Sequence, residues 1–97
     1  MGKYSSQKLP SEVLKIISEN FRALRKFNKL SRAECAERSG VPEPTIRRFE
    51  VTGKIAFESL LKLAFGLNRL EDFNLVFQFN AQEKNLDKLF SSKTKRA

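Results

Sequence analysis

Apolar residues recur along this chain at intervals of three and four, the spacing that places side chains on one face of an α-helix. The first segment of this kind contains Val13, Ile17, Phe21 and Leu24, with charged residues between them. Ser11 stands just before this run, where the N-cap of a helix is expected. The pattern predicts a first helix over residues 11–28.

A second, shorter helix is bounded by local capping signals. Ser31 and Glu34 have the spacing of a capping box, in which each side chain bonds the backbone N–H of the other residue. Gly40 suits the left-handed position that follows the last turn of a helix. These signals predict a helix over residues 31–38.

Two closely spaced prolines indicate the start of a third helix. Pro44 disfavours helical angles at Glu43 and is itself suited to the first helical position. The helix is therefore expected to begin near Pro44 and to end before Gly53.

This third helix is expected to have an apolar face and a basic face. At about 100° per residue, Ile46, Phe49 and Glu50 point in one direction. Arg48 points the opposite way, and Arg47 lies to the side. We expect the apolar face to be buried and the arginines to be exposed.

Two further helices are predicted, over residues 57–66 and 70–79, and no segment alternates as a β-strand would. The chain is thus expected to form an all-α domain of five helices over residues 11–79. A flexible lead of residues 1–10 precedes this domain. A polar C-terminal tail of residues 80–97, which contains a short apolar segment, follows it.

The charge of the chain indicates a polyanionic partner. Its 97 residues suit a single domain and include 19 Lys and Arg against 11 Asp and Glu, a net charge of +8. Nucleic acid and anionic membranes are the polyanions that attract such a chain, although a merely basic domain would have the same charge.

The composition argues against catalysis and against a bound cofactor. The chain has no His, one Cys and four scattered Gly, so it lacks the groups for histidine catalysis, a thiolate zinc site or a glycine-rich phosphate loop. We therefore expect that the protein is not an enzyme and binds no metal or cofactor. Cys35 is expected to be a small buried residue on the second helix. Because only one Cys is present, and neither a long apolar run nor a signal peptide is recognisable, a cytoplasmic protein outside the membrane is expected.

The second and third helices, with the glycine-containing turn between them, predict a helix-turn-helix. In that motif the second helix enters the major groove of DNA. The planar guanidinium of arginine matches the paired acceptors of guanine and also binds phosphate. The pattern therefore favours DNA binding through Arg47 and Arg48.

The run LSRAECAERSGVPEPTIRRFEVTGK resembles the Cro/C1-type (XRE) helix-turn-helix family, and ESLLKLAFGLNRLEDFNLVF is similar to helices 4 and 5 of that family. The resemblance covers about residues 12–79 and implies a lambda-repressor-like bundle. The stretch RRFEVTGKIAFESLLKLA further resembles HipB-like antitoxins encoded beside HipA-type toxin kinases. It implies a repressor that acts on its own toxin–antitoxin operon through a palindromic operator in double-stranded DNA, with a HipA-type kinase as a possible partner.

The resemblance also assigns roles by position. Glu43, Pro44, Thr45 and Arg48 occupy the base-facing positions, and Arg32 and Lys54 the phosphate-binding ones. Arg47 points to the side of the helix, which favours a phosphate over a base as its contact. Several alternatives remain open at this point: Arg48 could contact a phosphate instead of a base, Glu43 could cap the helix, and Lys54 could be a solvated loop residue.

Three features of the motif concern its internal structure. Arg25 and Glu50 stand where the family forms a partly buried ion pair, which agrees with the inward direction of Glu50. Pro42 replaces the usual Ser or Thr cap of the third helix. Pro44 replaces a polar base-contacting residue, so that it offers only an apolar contact, for example to a thymine methyl group.

Some apolar residues fall outside the main helix faces and are candidates for a homodimer or partner interface. They are Leu63, Phe65, Leu75, Phe79, Leu86, Leu89 and Phe90. Two alternatives remain open: the first four residues could close the core under the C-terminal segment, and the last three could dock on the chain's own surface. Helix-turn-helix proteins usually bind as dimers to half-sites about 34 Å apart, which favours dimerisation. The alternative functions are a module of the same fold that mainly binds a partner protein, and a phage-type repressor unrelated to a toxin.

Overall fold

The computed structural model describes residues 8–79, and all regular secondary structure in that range is helical. Helix α1 spans Pro10–Phe27, α2 Arg32–Ser39, α3 Glu43–Thr52 and α4 Phe57–Gly66, and a single 3-10 turn follows at Leu70–Phe73. No strand occurs within residues 8–79, so the all-α prediction is confirmed. The predicted tail, with Leu86, Leu89 and Phe90, and residues 1–7 of the predicted lead lie outside the described residues.

Helix α1 begins at Pro10, so the prediction that Ser11 caps it is wrong. Leu9 precedes the helix, and its backbone N–H donates to Glu12 Oε1 at 2.9 Å. Pro10 occupies the first helical position, where its fixed φ is already helical and a missing N–H has no consequence. The glutamate side chain thus satisfies the N–H of the N-cap residue, and the backbone N–H of Glu12 donates to the carbonyl of Leu9 at 2.9 Å.

Helix α2 has the caps that its sequence predicts. The backbone N–H of Glu34 donates to Ser31 Oγ at 3.0 Å, and that of Ser31 donates to Glu34 Oε1 at 2.7 Å. Gly40 has φ 80°, and its N–H bonds the carbonyl of Ala36. The helix begins at Arg32 and ends at Ser39, one residue from the predicted limits.

Helix α3 begins at Glu43, one residue earlier than predicted, and Pro42 takes the N-cap position. Glu43 is therefore the first helical residue and not the cap. Pro44 is the second and not the first. A proline is accommodated at this position because the early N–H groups of a helix have no partner within it. Gly53, with φ 81°, ends the helix as expected.

The prediction of a fifth helix over residues 70–79 is wrong. Only the 3-10 turn Leu70–Phe73 forms, and turn structure without a helix follows it. The Phe73 ring packs edge-on against Phe57 with centroids 6.3 Å apart, whereas Leu75, Val76 and Phe77 are exposed. Because a short helix is stabilised mainly by burial of its apolar face, apolar spacing without a packing partner does not produce one.

The core is formed where α3 and α4 pack against the first two helices. Ile46, Phe49 and Leu63 are almost completely buried, and the Phe21 and Phe49 rings lie 5.6 Å apart. Leu63 is 1% exposed, so its assignment as an interface candidate is wrong. Cys35 is buried in this core, the role expected for it.

Within residues 8–79, no helix combines the length and the apolar character that crossing a membrane requires.

Candidate nucleic-acid interface

The outer face of α3 presents the arginines of its sequence to solvent. Arg47 and Arg48 are exposed, while Ile46 and Phe49 on the opposite side are 0% and 1% exposed. Pro44 is also exposed and lies one helical turn before Arg48. The helix is therefore anchored by its apolar face, and its basic face is free of contact with the core.

The first turn of α3 holds the remaining candidates for base contact. Thr45 and Glu43 are partly exposed. Arg47 Nη2 lies 3.9 Å from Glu43 Oε2, one turn apart on the helix surface. A pair at this distance between exposed side chains is weak, so Arg47 can exchange the carboxylate for a phosphate at little cost.

Lys54 follows α3 in a loop whose backbone is held in place. Thr52 Oγ1 donates to the carbonyl of Arg48 at 2.7 Å and accepts from the backbone N–H of Lys54 at 3.0 Å. The side chain of Lys54 is exposed. The loop thus fixes where an exposed ammonium group leaves the backbone, next to the end of α3.

Glu50 lies on the inner side of α3 and gathers arginines from two other helices. Its side chain is 2% exposed. Arg25 Nε donates to Oε2 at 2.7 Å, and Arg25 Nη2 donates to Oε1 at 3.0 Å. Arg32 Nε donates to Oε1 at 3.0 Å, and Arg22 Nε lies 4.0 Å from the same oxygen. We call Glu50 with Arg22, Arg25 and Arg32 the Glu50 cluster.

Arg25 also joins the loop between α1 and α2. Its Nη1 donates to the carbonyl of Leu30 at 2.9 Å, and its own carbonyl accepts the backbone N–H of Leu30 at 3.0 Å. No buried side-chain nitrogen or oxygen in residues 8–79 lacks a hydrogen-bond partner. The cluster therefore connects three helices and a loop through satisfied polar groups.

The arginines keep the cluster carboxylate ionised. Burial acts to raise the pKa of Glu50, but the hydrogen bonds from Arg25 and Arg32 and the positive charges of both arginines together outweigh it, and the pKa is lowered from the ordinary value. The hydrogen bond to Glu50 likewise raises the pKa of Arg25. With three guanidinium groups on one carboxylate, the cluster retains a net positive charge.

Arg32 and Arg22 have a role that the sequence analysis did not give them. Arg32, expected at phosphate, is bound to Glu50 through Nε and is 30% exposed. One signal pointed to a special role: Arg32 opens α2, where the helix dipole disfavours a cation. No local pattern indicates Arg22, because its partner lies on another helix.

The candidate interface residues fall into two groups. Phe65, Leu75 and Phe79 are exposed, at 68%, 70% and 57%, and remain candidates. Phe77, which the sequence analysis did not single out for an interface, is fully exposed. Leu63 belongs to the core. Exposed large apolar side chains therefore occur both on α4, at Phe65, and in the segment after the 3-10 turn, at Leu75, Phe77 and Phe79.

The exposed groups of α3 and Lys54 are suited to binding an anionic, patterned surface. Guanidinium and ammonium groups donate hydrogen bonds to phosphates and to base edges, and nothing in their arrangement provides a nucleophile with a base. Within residues 8–79, no three His, Cys, Asp or Glu side chains lie close enough to hold a metal ion.

Comparison of the chain with models of protein families, with curated proteins and with solved structures found no match.

Proposed function

We propose that this protein is a sequence-specific DNA-binding transcriptional repressor in which α2 and α3 form a helix-turn-helix and α3 enters the major groove. One observation carries the proposal. The helix that buries Ile46 and Phe49 presents Arg47 and Arg48 to solvent. A helix that is anchored on one side and basic on the other is the element that reads DNA in this motif.

The connection between α2 and α3 supports this assignment. Residues 40–42 join the two helices, with Gly40 in the left-handed conformation and Val41 1% exposed. A short turn with a glycine and a buried apolar residue holds two helices at a fixed angle. The two helices pack against each other, and α1 and α4 pack against them, so that the position of α3 is fixed by contacts with the core.

The proposed contacts follow from exposure and charge. Arg48 and Thr45 contact bases, with Pro44 and Glu43 beside them, while Arg47 and Lys54 bind phosphates. Arg32 binds a phosphate through its terminal nitrogens, because Nε is held by Glu50. The net charge of +8 adds a sequence-independent attraction for DNA.

The resemblance noted above extends the proposal to a biological setting. The protein binds a palindromic operator as a homodimer and represses its own toxin–antitoxin operon in the manner of HipB-like antitoxins. A HipA-type kinase is its partner. In this proposal the four helices are the first four of a lambda-repressor-like bundle, and a fifth helix does not form within residues 8–79.

Selection of binding sites from random double-stranded DNA tests the central proposal, followed by titration of the selected site across a salt series. We expect a palindromic site, a strong preference for it over scrambled DNA, and an affinity that falls linearly on logarithmic axes as salt rises. Weak binding that ignores sequence would refute the assignment of α3 as a recognition helix.

One observation favours a second function, that of a module that mainly binds a protein. Phe65, Leu75, Phe77 and Phe79 are all exposed, and exposed apolar groups of this size are typical of protein contacts. Size-exclusion chromatography with a purified HipA-type kinase tests this function independently of DNA. A complex without operator binding favours the protein-binding module, and operator binding without a complex favours a phage-type repressor.

A further inference from the structure

An open apolar groove lies in a part of the molecule where no residue of α3 lines it. It runs between α1 and α4 and is lined by Ile17, Phe21, Leu24, Leu60, Phe73 and Val76, with a volume of about 680 Å³. We call it the α1–α4 groove. Phe27, which is 81% exposed, and the charged residues Arg69 and Asp72 also line it. Such a groove offers apolar contacts that the described chain does not use.

We propose that the C-terminal segment of this same chain occupies the α1–α4 groove, as an amphipathic helix that buries Leu86, Leu89 and Phe90. The inference concerns intramolecular docking and does not depend on DNA binding. Three observations support it: where the described chain ends, the pattern of the remaining sequence, and the advantage of a tethered occupant.

The described chain ends close to the groove. Val76 lines it, and Phe79 is the last described residue. Leu86 is seven residues beyond Phe79, and one extended step to Asn80 followed by six helical steps of about 1.5 Å each spans about 13 Å. Because neighbouring helix axes lie about 8–10 Å apart, this length is sufficient to place a segment across the groove.

The remaining sequence has the pattern of a helix with one apolar face. Leu86, Leu89 and Phe90 stand at positions i, i+3 and i+4, with Asp87 and Lys88 between them. Asn80 and Glu83 have the spacing of a capping box before this run. The pattern thus predicts a short helix whose single apolar face matches a single apolar groove.

Tethering favours this occupant over a second copy of the protein. A segment joined by a short linker is present at an effective concentration of about millimolar, whereas another molecule must reach the groove from dilute solution. At micromolar protein, the chain's own segment therefore occupies the groove first.

The test uses the full chain with three changes in the tail, Leu86→Ser, Leu89→Ser and Phe90→Ser, followed by NMR of ¹⁵N-labelled protein. We expect chemical-shift changes at the amides of Ala23, Leu24 and Leu60, unaffected by dilution, in a protein that sediments as before. The matched control changes Lys84, Asp87 and Lys88 to Ser in the same segment and is expected to leave the groove amides unchanged.

A second variant tests the groove from its own side. Ala23 is exposed and lines the groove, so Ala23→Arg obstructs it without altering the core. It should shift the amides of residues 86–90, whereas Ala33→Arg, on an exposed position of α2 outside the groove lining, should not. Circular dichroism establishes that each variant is folded.

Two outcomes would overturn the proposal. If the three tail changes leave the groove amides where they were, the segment does not dock there. If the groove shifts depend on protein concentration and accompany a change from dimer to monomer, a second copy is the occupant. Neither outcome bears on operator binding by α3.

Discussion

Replacing Glu50 by Gln removes the single negative charge on which the buried part of the Glu50 cluster depends. The change keeps the size of the side chain but leaves Arg25, only 8% exposed, opposite a neutral amide. The amide nitrogen is a donor, so one of the two oxygens that accept from Arg25 and Arg32 is replaced by a group that repels them. The variant therefore contains a buried cation without a counter-charge.

The expected loss is large relative to the stability of a small domain. Removing one partner of a buried, hydrogen-bonded ion pair costs about 3–5 kcal/mol. Domains of this size are stable by about 5–15 kcal/mol. At about 4–8 °C per kcal/mol, Tm should fall by at least about 12 °C.

Urea denaturation at pH 7, followed by far-ultraviolet circular dichroism, measures the loss in the free energy of unfolding. Glu43→Gln is the matched control, because Glu43 pairs with Arg47 at 3.9 Å on the surface and its loss should change stability by about 0–1 kcal/mol. If Glu50→Gln were no more destabilising than this control, the cluster would not support the packing of α1, α2 and α3.

The same pair of proteins gives a pH test with a defined sign. Because the pKa of Glu50 is lower in the folded chain than its ordinary value of 4.5, its stabilising contribution is fully present above that value. It is lost as the pH falls through the lower folded pKa. The difference in stability between wild type and Glu50→Gln should therefore be constant near neutral pH and shrink in acid. A difference that grows in acid would contradict the lowered pKa.

Four other substitutions test DNA binding and the turns. Arg48→Ala should weaken operator binding by about 1–3 kcal/mol and relax the preference at one base pair, measured by anisotropy with single-base operator variants; unchanged selectivity would remove Arg48 from base contact. Lys54→Ala should weaken binding to all sequences alike and reduce the slope of log affinity against log salt by about 1, and an effect restricted to one base pair would contradict a phosphate contact. Gly40→Ala should lower the free energy of unfolding by about 1–2 kcal/mol, because φ is 80° at this position. The left-handed backbone is the whole cause, since no atom would lie within 4 Å of the added Cβ. Gly53→Ala should lower the free energy of unfolding by more, measured in the same urea assay, because φ is 81° and the added Cβ would also lie 3.2 Å from the Leu14 backbone. Equal losses for the two variants would show that a small shift relieves this close contact with Leu14.

Helix α2 illustrates what the sequence predicts well. Its limits depend on Ser31, Glu34 and Gly40, and each acts on backbone groups within a few residues of itself. Such signals are visible in the sequence because both partners lie close together along the chain. The inward direction of Ile46 and Phe49 is predictable for a related reason, since helical spacing alone determines that they share a face.

The residues after α4 show where the same reasoning fails. Leu70, Phe73, Val76 and Phe77 have helical spacing, yet only one 3-10 turn forms and Val76 and Phe77 remain exposed. Spacing states which residues would share a face but not whether another element covers that face. Leu63 shows the opposite error, because its spacing placed it outside the main apolar face of its helix. It is nevertheless 1% exposed, since α4 packs against α2.

The candidate site divides in the same way. The exposure of Arg47 and Arg48 follows from the periodicity of α3, and so does the inward direction of Glu50. Periodicity does not predict that Arg22, Arg25 and Arg32 meet on the Glu50 carboxylate, because this depends on how three helices pack together. Hydrogen-bond geometry within one helix is local, and the amino-acid order alone therefore determined the limits of α1 to α4 to within a residue and the buried and exposed faces of α3. Burial and ion pairing between helices depend on three-dimensional distance, and only the tertiary structure decided which arginines are bound to Glu50 and which remain exposed.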